Sequence, residues 1–132
     1  MSVMMYGRIN MKKLFVSVPM KGRTEEEIKA SVAKMKNIAE AYEGEELELI
    51  DSWVEENPPA DCNVSVWYLG KSIEKLAEAD VFIGISDTGG WPGCQVEAEA
   101  AQLYGIKSYR VDTSTILDYE VMAERLLVDF MK

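Results

Sequence analysis

The chain of 132 residues contains no histidine. That removes the most used general base near neutral pH, the commonest metal ligand and every Ser-His or Cys-His nucleophile pair. Only two cysteines occur, Cys62 and Cys94, without CxxC spacing. Neither a zinc site nor a disulfide framework can be built from them, and both are expected as reduced thiols. No apolar run approaches the length of about 18 residues that a membrane span needs, and "LFVSVPM" is too short and too quickly followed by charge for a signal peptide. Cytoplasmic residence away from membranes is expected. Basic residues are in deficit, 14 against 23 acidic ones, for a net charge of −9. A nucleic-acid polymer is therefore an unsuitable partner, because its binding rests on neutralising phosphates with Lys and Arg. Repeats and low-complexity stretches are also missing. A small-molecule or protein partner is expected, and any enzyme chemistry falls to carboxylates.

What is present reads as one soluble domain, long enough to bury a self-standing core. Residues 1–11 read as an unstructured leader before the Met11 start of "MKKLFVSVPM", and residues 12–132 as a single domain. "KLFVSV" is a buried strand bounded by Pro19 and Gly22. Thr24 and Glu27 have capping-box spacing, and Ile28, Val32, Met35, Ala39 and Tyr42 follow at helical intervals, predicting a helix over 24–42. "LELI" (47–50) reads as strand two, and Pro58 and Pro59 place a loop over 55–64. A helix over 65–79 leads to strand three, "DVFIGI" (80–85), with Asp80 in a structural role. A helix over 93–104 ends at Gly105, "IKSYRV" is strand four, and "ILDYEVMAERLLVDFM" closes the chain as an amphipathic helix. Alternating strands and helices predict a parallel sheet covered on both faces, a three-layer α/β/α sandwich of flavodoxin-like type with four or five strands.

Ligands in such sheets sit beyond the carboxyl ends of the strands. The ends here are "SVPMKGR", Asp51 with Ser52, and "SDTGGWPG". In the last of these, Gly89, Gly90 and Gly93 permit close backbone approach, and Pro92 suits a first helical position. Glu97 falls on the opening turns of the following helix, where the helix dipole is expected to keep it ionised. Acidic residues are also favoured there simply as solvated helix starters, but "CQVEAEAAQLYG" is so apolar that a carboxylate within it needs partners or a task. Glu99, about 200° further round the helix, is expected to face away. The "PMKGRT" loop lacks P-loop spacing. Lys21 and Arg23 are either phosphate or base contacts or a solvated strand-to-helix turn. Trp67, Tyr68 and Trp91 are either base-stacking or core aromatics. Lys71 and Ser72 either reach the crevice or lie on the surface.

"LFVSVPMKGRTEEEI", "WYLGKSIEKLAEADVFIGI" and "GCQVEAEAAQLYGI" together resemble the DUF4406 family of bacterial and phage proteins. More distantly they are similar to nucleoside 2-deoxyribosyltransferases and nucleoside 5′-monophosphate N-glycosidases. The resemblance spans residues 12–111, about three quarters of the chain. In those enzymes a glutamate eight residues before the helix-ending glycine is the nucleophile, and that spacing falls on Glu97 and Gly105. The resemblance implies cleavage or transfer at the N-glycosidic bond of a (deoxy)nucleoside or its 5′-monophosphate, with no cofactor and no metal. Asp87 would orient the sugar or protonate the base. Substrate contacts would come from Pro19, Met20, Lys21, Gly22 and Arg23, from Asp51 and Ser72, and from Ser86, Gly90, Trp91 and Gly93. It also implies a homo-oligomer whose sites are completed by a neighbouring subunit. The family's base-handling aspartate falls on Ser72. A non-catalytic nucleotide-binding module, or an interaction protein on the same scaffold, is the rival reading.

Overall fold

A computed structural model describes residues 10–117. β1 (Lys13–Val16), β2 (Glu48–Leu49), β3 (Val81–Ile85) and β4 (Lys107–Val111) form a four-stranded parallel sheet in the order β2-β1-β3-β4. Three helices join them: α1 (Glu25–Glu43), α2 (Val64–Leu76) and α3 (Pro92–Leu103). The α/β class and the parallel sheet are those expected from the pattern of elements. The expected leader falls on residues mostly outside those described, and so does the closing amphipathic helix from residue 118 onward.

Local signals account for the helix ends. At α1, the Thr24 hydroxyl accepts the Glu27 N–H at 3.1 Å while the Glu27 carboxylate accepts the Thr24 N–H at 2.9 Å, closing the capping box. Gly44, at φ 72°, ends the helix in a left-handed conformation that costs glycine nothing. Asn63 caps α2 through the Val66 N–H at 3.1 Å, one residue before the expected start. Pro92 opens α3, where its missing N–H is no loss.

Side-chain alternation along the strands sends apolar groups to both faces. Leu14, Val16 and Val18, with Val81 and Ile83, pack against Ile28, Met35 and Ala39 of α1. On the other face Phe15 and Phe82 stack with ring centroids 6.0 Å apart and meet Leu76 of α2 with Ala98 and Ala101 of α3. Each of the larger side chains so buried contributes about 1.5–3 kcal/mol of hydrophobic stabilisation. Asp80 is structural, as expected: its carboxylate accepts the Lys13 N–H at 2.8 Å, and its own N–H donates to the Lys13 carbonyl at 2.9 Å. β2 is shorter than the predicted 47–50 because it is an edge strand with a single neighbour, and the chain turns away once the Trp53 N–H donates to the Asp51 carboxylate at 3.0 Å.

Candidate active site

β1 and β3 both end at one edge of the sheet, and a cleft of about 470 Å³ opens beyond them. That is the volume and the place at which an open α/β sheet binds a small molecule. Its walls are largely apolar, with Met20, Tyr68, Leu69, Trp91 and Val96 around the opening. The polar groups that reach it are few: Ser17, Ser52, Asn63, Ser65, Ser72, Lys21 and Glu97.

Glu97 owes its place to the period of α3. Cys94, Glu97, Ala98 and Ala101 fall at i, i+3, i+4 and i+7 and make up its buried face, while Gln95, Val96 and Glu99 are exposed. Glu99 thus turns away from the cleft, as expected, and accepts a long hydrogen bond from Gln95 at 3.4 Å. The helix is half-solvated rather than largely buried, yet its carboxylate lies on the dry side.

The Ser17 hydroxyl donates to Glu97 Oε1 at 2.7 Å. Burial raises the Glu97 carboxyl above its ordinary range, and the hydroxyls of Ser17 and Ser72 oppose that rise. The helix dipole expected to favour the ionised form is thus opposed by burial. The residue sits on the second turn, where the dipole field has weakened, and the desolvation cost of the charged form outweighs it. Cys94, one turn earlier, lines the same cleft, and burial pushes its thiol up to about 11. It is an uncharged neighbour and not a reactive thiolate.

Several residues expected at a site do come together. Pro19, Met20, Lys21, Ser72, Gly90, Trp91, Gly93 and Glu97 all line the cleft. Others stand elsewhere. Arg23 turns back under its loop, donating to the carbonyls of Pro19 at 2.7 Å and Glu27 at 3.2 Å and to the Ser31 hydroxyl. Gly22, at φ 77°, makes the turn between Lys21 and Arg23 and does not line the cleft. The Asp51 side chain is occupied in the turn to Trp53, and Ser52 takes its place at the cleft. Ser86 continues the sheet by donating its N–H to the Val111 carbonyl at 2.8 Å. Asp87 also stands apart from Glu97: it accepts the Thr113 N–H at 2.8 Å and the Thr113 hydroxyl, and it does not line the cleft. That hydroxyl is the main cause holding the Asp87 carboxyl below its ordinary value. Trp67 packs edge-on against Tyr68 with Lys71 above its ring, and Lys71 pairs with Glu56 at 3.0 Å, away from the cleft.

Ser17, Asn63 and Ser65 line the cleft without having stood out in the sequence. Ser17 carries a readable signal: a lone hydroxyl inside the apolar run "LFVSV" is destined for burial and must find a partner. Asn63 and Ser65 carry none, being ordinary residues at a helix start. Among the described residues no group of three or more Cys, Asp or Glu side chains could hold a metal ion, and no helix is long and apolar enough to cross a membrane. No family model, curated protein or solved structure matches the chain.

Proposed function

We propose that this chain is a flavodoxin-like enzyme of the nucleoside deoxyribosyltransferase type, which cleaves or transfers the N-glycosidic bond of a (deoxy)nucleoside or its monophosphate with Glu97 as nucleophile. One observation carries the reading: a buried carboxylate lines an open, mostly apolar cleft at the carboxyl ends of the strands, held among the described residues by hydroxyl groups. The ionised Glu97 oxygen attacks C1′ of the sugar. As the C1′–N bond breaks, its electron pair goes to the base nitrogen, which takes a proton from water. Water then opens the glycosyl ester, returning the carboxylate and releasing the sugar with net retention, or a second base opens it and completes a transfer. Trp91 and Tyr68 at the opening supply flat apolar surface for a base.

Among the described residues Glu97 is the only carboxylate lining the cleft. An in-place general acid is usually worth about 10²–10⁴ in rate, so slow turnover is expected. The same feature supports the second reading, a nucleotide-binding module without turnover. The cleft is open rather than plugged by Trp91 and Tyr68, which leaves the interaction-scaffold reading without its expected sign. Self-association belongs to the favoured reading, and Met20, Val66, Tyr68 and Val96 offer exposed apolar surface around the opening.

The deciding experiment incubates the protein and Glu97→Gln with deoxynucleosides and their 5′-monophosphates and measures free base chromatographically. Release by the native chain and not by the variant supports the enzyme. Saturable binding with no release supports the module, and neither binding nor release refutes both readings.

A further inference from the structure

Ser17 lies at the end of β1, where its backbone N–H still donates to the Ile83 carbonyl at 2.9 Å. The sheet therefore fixes where its side chain starts. Alternation puts Ser17 on the same face as Phe15, toward α3. The residue is 2% exposed. Two groups meet it: the Glu97 carboxylate at 2.7 Å and, beneath it, the bare Cα of Gly84, where an added Cβ would lie 3.5 Å from the Ser17 Cβ.

A serine hydroxyl has one proton to give and two lone pairs to receive with. Burial pushes the nearby Cys94 thiol up to about 11, so it stays uncharged and competes only weakly for the Ser17 proton. The Ser17 proton is then committed to the one strong acceptor beside it, Glu97. Ser72 on α2 lines the same cleft, and its hydroxyl also opposes the rise of the Glu97 carboxyl. The titratable groups lining the cleft besides Glu97 are Lys21, Tyr68 and Cys94, and none of them is a second carboxylate.

We propose that Ser17 is the positioning residue of this site: anchored in the sheet, its hydroxyl fixes the orientation of the Glu97 carboxylate and favours its ionised, nucleophilic form. The inference rests on the glycosidic reading for its catalytic meaning and not for its physical content. Ser17 makes and breaks no bond in the reaction and acts through Glu97.

The test separates the two. The side-chain carboxyl of Glu97 is followed by carbon NMR of glutamate-labelled protein, its signal identified by its loss in Glu97→Gln. Its titration midpoint is measured in the native chain, in Ser17→Ala, and in Ser17→Cys, which keeps the size and weakens the donor. The expected result is an upward shift of about one pH unit or more in Ser17→Ala, the scale of a lost hydrogen bond to a charged group, with a smaller shift the same way in Ser17→Cys. If Ser17→Ala does not fold, the shift in Ser17→Cys decides the question by itself. A midpoint unmoved within a few tenths of a unit in a folded variant overturns the proposal, whether or not the protein releases base. Where base is released, Ser17→Ala should lower kcat about tenfold with KM nearly unchanged, and raising the pH should recover part of the loss. A native protein that releases no base, with the midpoint shift present, would refute the glycosidic reading and leave Ser17's hold on Glu97 standing.

Discussion

Ser17 Oγ and Glu97 Oε1 lie 2.7 Å apart, joining residues separated by 80 positions in sequence. One is delivered by β1 and the other by the second turn of α3, and the two elements meet only because both pack against β3. The candidate nucleophile is therefore assembled by the sheet and not by its own loop. A carboxylate in this position is costly for the fold, and the chain offsets only part of that cost with hydroxyl groups.

Glu97→Gln should trade activity for stability. A carboxyl raised by burial in the folded state contributes stability below its unfolded value, and that contribution is lost as pH rises through the folded value. The neutral amide escapes the loss. Thermal melting at pH 8 should show the variant a few degrees above the native chain, about 1 kcal/mol, with the gap closing toward pH 4. A variant less stable at pH 8 would mean that Ser17 and Ser72 more than offset the cost of burial.

For the same reason base release should need more alkaline conditions than an ordinary carboxylate nucleophile does. The active form is ionised Glu97, whose population rises with pH through its raised midpoint. A rate profile in kcat whose acid limb lies above the usual glutamate range of about 4.3 is expected. A limb at or below that value would show Glu97 to be an ordinary solvated acid.

Glu43 presents the opposite case at the far end of the sheet. Its side chain, 1% exposed, meets Lys107 at 2.7 Å, Lys12 at 3.2 Å and the Tyr109 hydroxyl. Hydrogen bonds from Lys107 and then Tyr109 are the main causes that bring its carboxyl down to about 2. The stability it contributes is present above the unfolded value near 4.3 and is lost as pH falls toward 2. Glu43→Gln should cost about 1–2 kcal/mol at pH 7, toward the low end because both lysines are half-exposed. Denaturant titrations at pH 7 and pH 3 check this, since the difference between native and variant must shrink in acid.

Asp87 supplies a test of role. Its carboxylate accepts two hydrogen bonds from Thr113, tying the loop after β3 to the turn after β4. Asp87→Ala should lower stability by about 1 kcal/mol and change kcat less than about threefold, which denaturation and steady-state rates would measure side by side. A fall of a hundredfold or more with stability intact would return Asp87 to the substrate.

The sequence was most legible where one local rule decided the matter. Thr24 and Glu27 announced α1, Gly105 closed the helix that carries Glu97, and the unbroken "VFIGI" marked the central strand. Glu97 and seven other residues expected at the site line the cleft. Legibility failed where a side chain had a choice of directions. Arg23 and Asp87 lie in loops at the correct end of the sheet, but each found a local partner, a carbonyl in one case and Thr113 in the other. Loop membership fixes the neighbourhood of a residue and not its rotamer, so polar loop residues are predicted less well than those held by helical or strand periodicity.

Gly84 is where the fold and the site press hardest on each other. A Cβ added there would stand 2.8 Å from two ring carbons of Phe82 and 3.5 Å from the Ser17 Cβ. Phe82 is fully buried and stacked on Phe15, so its ring cannot swing into solvent. Gly84→Ala must displace that ring or the strand, at a cost of about 1–3 kcal/mol for overpacking a filled core. The displacement lies directly under Ser17, so the damage should not be confined to stability. At a temperature where the variant is fully folded, the Glu97 titration midpoint should move, because the hydroxyl that holds the carboxylate has been shifted. A small residue at this point of β3 therefore serves the cleft through two contacts, making room for the Phe82 ring and leaving the Ser17 side chain where α3 can meet it.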